Sequence, residues 1–166
     1  MDDIISFGQD FAGALNNLVM IFECLQKCVL QLKANRCHLF RTSAPFLGHV
    51  VGRDGLQCDP KKIVDVKSWP VPDCLKSTRQ FLEFVGYYRR FIKEFAERAA
   101  PLVALTGKDV PVLWTSDCMD SFNNLRQALI CAPILAFPTE TDVYVLATDA
   151  SNFGTYLVSC KNEWNK

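Results

Sequence analysis

Two aspartates, Asp2 and Asp3, stand side by side directly before the apolar run IISF. Phosphoryl-transfer enzymes hold two metal ions with carboxylates at strand ends, one ion activating the attacking oxygen and the other stabilising the leaving oxygen. Hard oxygen ligands suit Mg2+. A DD pair on its own is also how a solvated turn or terminus looks. Asp149 closes the apolar run YVLAT and is followed by small residues and a turn. It either projects a ligand from a strand end or caps the turn after it. In YYRRFIKEF, Arg89 and Lys93 are spaced one helical turn apart, beside Arg90, Tyr87, Tyr88 and Phe91. Cationic side chains pair with phosphates, and aromatic rings stack on bases or pack in cores. The alternative is a core-packing aromatic face with a solvated basic edge, and this is the reading for Phe91 and Phe95. Cys24, Cys28, Cys37 and His38 form a C-x3-C-x8-C-H string that lacks the C-x2-C knuckles of common zinc sites. Small buried or half-buried thiols are expected there instead. Arg36 and Arg41 add a minor basic patch beside Cys37 and His38.

The rest of the chain must supply the scaffold. Hydrophobic residues make up 49% of the 166 residues and charged residues 22%, which is enough to build a core and argues against wholesale disorder. Net charge is zero, so nucleic-acid binding has to come from local patches and not from a global field. The first residues are acidic, with no basic flank before an apolar segment, and no apolar run reaches membrane-spanning length. The eight cysteines are then expected to stay reduced in the cytosol or nucleus, and no membrane partner is expected.

The apolar periodicity sets the elements. Ile4 to Phe7 reads as a short strand. Phe11, Leu15, Leu18, Phe22, Leu25, Val29 and Leu32 mark one stripe of a long amphipathic helix, expected to pack on a sheet. Phe46 to Val51 reads as a strand, GRDG as a tight turn and Leu56 to Cys58 as the return strand. Asp59 caps and Pro60 opens a helix carrying Ile63, Val66 and Trp69. A helical stretch beginning near Asp73 runs through Phe81, Leu82, Val85, Tyr88, Ile92 and Phe95, with Gly86 loosening it and Pro101 breaking it. Thr115 or Ser116 caps a helix with Phe122, Leu125 and Leu129 on one face. DVYVLATDAS, NFG and TYLVS read as a hairpin.

The order of these motifs resembles part of the Pol polyprotein of Ty3/gypsy-type LTR retrotransposons, from reverse transcriptase into RNase H. DDII is similar to the Y-x-D-D-I-[IL] active-site turn, and FLGHVV to the F-L-G-H hairpin. DPKKIVDVKSWPVP resembles D-P-x-K…W-P-x-P, and TRQFLEFVGYYRRFI resembles L-R-x-F-L-G-L-x-x-Y-Y-R-R-F-I. WTSDCMDSFNNLRQAL, the AP-I-L-AFP run and TDAS continue in register. Glu83 stands where the family has Gly, Met1 where it has the variable residue of Y-x-D-D, and TYLVSCKNEWNK where it has a second glycine and A-V-L.

The resemblance implies an α+β fold: a partial reverse transcriptase palm hairpin, a helical thumb, then the first strands of an RNase H-like domain. The implied domains are 1–58, the C-terminal palm with its primer-grip hairpin; 59–107, thumb-like helices; and 108–166, a connection helix with the N-terminal part of the RNase H-like domain. Asp2 and Asp3 would be polymerase Mg2+ ligands, and Asp149 the first RNase H carboxylate. Phe46, Leu47, Gly48 and His49 would place the primer 3′ end. Tyr87, Arg89, Arg90 and Lys93 complete the nucleic-acid-binding set. The implied activity is RNA-directed DNA synthesis on an RNA/DNA template–primer duplex, and the implied protein partner is the remainder of a Pol polyprotein. With two polymerase carboxylates of three and one RNase H carboxylate, the chain alone is expected to be inactive. Two further readings stay open: a non-catalytic nucleic-acid-binding module, and a reading frame from a decayed element.

Overall fold

The computed structural model describes residues 3–107, 113–139, 144–151 and 154–161, the last two as strand backbone. The chain divides into two compact units, Met1–Arg53 and Asp54–Lys166. No helix among the described residues is long and apolar enough to cross a membrane.

In the first unit, helix α1 spans Phe11–Lys27. Asp10 starts it: its backbone is extended and its Oδ1 accepts the Gly13 N–H at 2.7 Å. The end is a Schellman turn. Val29 N–H donates to the Gln26 carbonyl at 3.1 Å and Leu30 N–H to the Leu25 carbonyl at 2.9 Å, while Val29 takes a left-handed φ of 57°. The apolar stripe runs on to Leu32, but the helix stops once the chain turns left-handed at Val29. None of its residues is buried, so within this unit the expected packing on a sheet is absent. Ile4 to Phe7 form no strand. A strand exists only through hydrogen bonds to a neighbour, and no described residue supplies one. Instead, Asn17 Nδ2 donates to the Phe7 carbonyl at 2.8 Å and holds this lead-in against α1.

Strands β1 (Ser43–Phe46) and β2 (His49–Gly52) pair antiparallel, with Phe46 opposite His49. The single strand expected from Phe46 to Val51 is therefore two strands around a two-residue turn. Leu47 and Gly48 both have positive φ, 47° and 70°, as the tight hairpin turns of twisted strands require. Leucine hides that signal in the sequence.

In the second unit, β3 (Gly55–Cys58) precedes α2 (Pro60–Lys67). Asp59 Oδ1 accepts the Lys61 N–H at 2.9 Å and Pro60 occupies the first turn, as expected. Leu56 exchanges two backbone hydrogen bonds with Leu135, 2.8 and 2.9 Å long. Gly55 permits this approach: its φ is 134°, and a Cβ there would lie 2.1 Å from the Leu135 carbonyl oxygen.

The expected long helix after Asp73 is two helices, α3 (Leu75–Tyr87) and α4 (Phe95–Ala104). The break falls at residues 88–94, not at Pro101. A 3-10 turn covers Arg89–Phe91, and Glu94 is left-handed at φ 55°. Burial of Tyr88, Phe91 and Ile92 outweighs continuation of the helix. Pro101 lies inside α4, where it removes one backbone donor. The Ser121 hydroxyl bonds to the Arg98 carbonyl at 2.5 Å in that same region, and Ala99 and Leu102 are buried. Packing holds the helix across its proline.

Helix α5 (Ser116–Ile130) is capped by Thr115 and buries Phe122, Leu125 and Leu129, the face expected for it. The rings of Phe81 and Phe122 meet at 4.6 Å, and Trp69 packs on Phe81 and Phe84 at 5.8 and 5.0 Å. Each fully buried side chain of this size contributes roughly 1.5–3 kcal/mol. Strands β4 (Tyr144–Ser151) and β5 (Gly154–Lys161) pair antiparallel from Ser151 opposite Gly154, matching the expected hairpin. Helices plus small antiparallel sheets make the fold α+β.

Candidate nucleic-acid interface

The segment joining α3 to α4 is fixed from within. Tyr88, Phe91 and Ile92 are each about 3% exposed or less. Tyr88 packs on Phe84 at 5.5 Å and Phe91 at 6.2 Å. Burial pushes the Tyr88 phenol up to about 12, helped by the nearby Cys58, Tyr87, Asp59 and Asp65. With these residues turned inward, Arg89, Arg90 and Lys93 are left outside, all exposed. Tyr87 is 56% exposed and stands edge-on to Tyr88 at 5.0 Å. None of the three cations is ion-paired among the described residues. The spacing of Arg89 and Lys93 on one α-helical turn does not hold, because the helix ends before them. A 3-10 turn presents Arg89 and Arg90 instead, and the turn before α4 presents Lys93. Of the residues expected to pack, Phe91 is buried and Phe95 is partly buried against the core.

In the first unit, Leu47 and Gly48 form the hairpin tip, with Phe46 and His49 as its closing pair. The His49 ring Nδ1 lies 2.7 Å from the Leu47 carbonyl, so the imidazole is held against its own turn. Leu47 is 53% exposed.

The carboxylates are less defined. Asp2 lies outside the described residues. Asp3 is exposed. Asp149 sits on β4 opposite Tyr156, with its side chain outside the described residues. No group of three or more His, Cys, Asp or Glu gathers among the described residues, so those residues do not form a Mg2+ cage. The thiols follow expectation at Cys37, which is half-buried, and depart from it at Cys24 and Cys28. Cys58 and Cys118 are buried, with the Cys58 thiol pushed up to about 12 by burial, but Cys24, Cys28, Cys74 and Cys131 are exposed. The reason lies partly in α1, whose own faces are uncovered.

Two cation placements escape a reading of the sequence. Arg98 Nη1 donates to Asn124 Oδ1 at 2.9 Å, joining α4 to α5. Arg126 Nη2 donates to Asn123 Oδ1 at 3.2 Å and stacks 5.3 Å from the Phe122 ring centre. The only hint in the sequence is the adjacent pair Asn123-Asn124.

Residues 114–165 match the family model of the RNase H-like domain found in reverse transcriptase. This part of the chain is RNase H-like. The helix α5 and the β4–β5 hairpin are the described elements of that RNase H-like stretch. Over its wider length the chain is 36% identical to the retrovirus-related Pol polyprotein from transposon opus of Drosophila melanogaster, covering 92% of the chain and 16% of that protein. It is 30% identical to the Pol polyprotein from transposon gypsy of the same organism, covering 93% and 16%. The chain thus spans about one sixth of these relatives, and it corresponds to the reverse transcriptase and RNase H-like region of retroelement Pol polyproteins. The fold is shared with the foamy viral protease-reverse transcriptase. The TM-score is 0.75 at 21% identity over 93% of this chain, against 28% of that protein solved with double-stranded DNA and 21% of it solved with an RNA/DNA hybrid.

Proposed function

We propose that this chain is the duplex-gripping part of a Ty3/gypsy-type reverse transcriptase–RNase H polyprotein. The observation that carries it is the α3–α4 junction, where Arg89, Arg90 and Lys93 project from a segment whose Tyr88, Phe91 and Ile92 are sunk in the core. A rigid cationic ridge beside an exposed Tyr87 suits a phosphate backbone and needs no base-specific contact. The two foamy viral structures, solved with duplex DNA and RNA/DNA hybrid, support an RNA/DNA template–primer as the ligand.

In this reading residues 1–58 end the palm, with Phe46, Leu47, Gly48 and His49 at the primer. Residues 59–107 are the thumb, and residues 108–166 lead into RNase H. Asp2, Asp3 and Asp149 descend from Mg2+ ligands of the two sites. In this reading the chain grips duplex, and ligands for polymerisation come from the rest of a Pol polyprotein.

The test is binding of the purified chain to a labelled RNA/DNA primer–template across a salt series. Affinity should fall linearly on a log–log plot, and Arg89→Ala with Arg90→Ala should flatten the slope by about 2, roughly one for each phosphate no longer neutralised. Asp2→Asn and Asp149→Asn should leave affinity unchanged, with no primer extension by any variant. A slope near zero for the unmodified chain sinks the proposal.

A further inference from the structure

The α3–α4 ridge does not account for the cation that joins α4 to α5. Arg98 lines a shallow cleft of about 380 Å3 between α4 and α5, together with Asn124, Gln127, Ala128 and Cys131. Arg98 is half-buried as a residue, and its guanidinium is held by an exposed carboxamide, not a carboxylate. A guanidinium only donates, so the Asn124 oxygen is taken up by Arg98, which leaves the NH2 group of this exposed, cleft-lining residue as a donor. Gln127 Nε2 donates to Cys131 Sγ at 3.2 Å and keeps a second N–H. The polar lining is therefore rich in donors. Asp120, one turn before Asn124, makes no ion pair with Arg98, and no described carboxylate does. The cation is thus oriented without being neutralised. A carboxylate partner would have neutralised the guanidinium through charge-assisted hydrogen bonds; Arg98 keeps its charge for an outside ligand.

The geometry points to this cleft as a second binding site for a nucleic-acid backbone phosphate, with Arg98 as the charge and Asn124 and Gln127 as flanking donors. It rests on the duplex-gripping reading and adds a phosphate site on α4 and α5 to the ridge at Arg89, Arg90 and Lys93. A planar guanidinium accepts a phosphate through two parallel hydrogen bonds, and the single bond to Asn124 leaves its other N–H groups for that role.

The full chain is tested against the labelled RNA/DNA primer–template over the same salt series. Arg98→Gln should weaken binding at low salt and flatten the slope by about 1, whereas Arg98→Lys should keep the slope. Asn124→Asp is the decisive variant. It preserves the hold on Arg98 but neutralises it, so it should mimic Arg98→Gln while the thermal midpoint stays level or rises. Asn16→Asp on α1 carries the same change of net charge and should leave the slope alone. If Arg98→Gln and Asn124→Asp both bind like the parent, the second site is overturned while the ridge stands. If the parent chain itself does not bind, the duplex-gripping reading has failed instead. Inorganic phosphate, matched to chloride for ionic strength, separates the two sources of phosphate. Arg98-dependent phosphate binding without an Arg98-dependent duplex slope makes the cleft a free-anion site and overturns the proposal.

Discussion

Helices α1 and α5 are alike in sequence and opposite in fate. Both are amphipathic, both are capped by a side-chain oxygen, and they are 17 and 15 residues long. Helix α5 buries five residues and α1 buries none. Phe11, Val19, Met20 and Phe22 remain 42–66% exposed, whereas Phe122, Leu125 and Leu129 are sealed against α2, α3 and α4. An apolar stripe states what a helix is able to bury; which element covers it is a separate, non-local fact. In α5 the chain supplies the cover itself.

The largest test of this contrast is a matched pair of truncations. Phe122→Ala should destabilise the second unit by about 3–5 kcal/mol in urea denaturation, the usual range for a buried phenylalanine. Phe22→Ala should shift stability by no more than about 0.5 kcal/mol. Equal effects would mean that α1 is covered in solution. Next in size is Gly55→Ala. Its Cβ meets the Leu135 carbonyl and its φ disfavours an L side chain, so a loss of about 1–3 kcal/mol is expected. The Leu56 and Leu135 amides should then exchange faster with deuterium. Slightly smaller, and of opposite sign, is Val29→Gly. A β-branched residue in left-handed backbone is strained by roughly 1–2 kcal/mol, and Val29 is 87% exposed, so its side chain packs on little. Helix α1 should gain about 1 kcal/mol and show more helicity by circular dichroism.

At neutral pH the last effect vanishes. Cys58 and Tyr88 both titrate near 12 in the folded chain, against ordinary values of 9.0 and 10.0. Their folded values are raised, so their contribution is whole below the unfolded values and is lost as pH climbs towards 12. Stability of the second unit should fall from about pH 9 upward, and Tyr88→Phe should remove the part that begins near pH 10. Helix α1 carries neither group and should melt without that alkaline limb.

The same contrast explains what could be read from the sequence. The cap at Asp59-Pro60, the cap at Thr115 and the buried face of α5 are local patterns reinforced by a core, and the structure keeps them. Ile4 to Phe7 fail as a strand because pairing needs a partner that the pattern cannot name. The turn at Leu47-Gly48 hides because leucine seldom adopts a positive φ. The α3–α4 break is set by three aromatic and aliphatic side chains sinking together, against a helical pattern that could have continued. The cationic ridge was legible in composition, but its presentation by a 3-10 turn at Arg89-Arg90 and a further turn at Lys93 was not. Arg98 and Asn124 are 26 positions apart, so no window of sequence shows that a carboxamide holds the guanidinium.

The Leu56–Leu135 bridge has a topological consequence. Residues directly opposite in an antiparallel pair have Cα atoms roughly 4.5–5.5 Å apart, so the polypeptide enters and leaves the four-helix block at nearly one point. Everything from α2 to α5 hangs from that stitch as a closed loop.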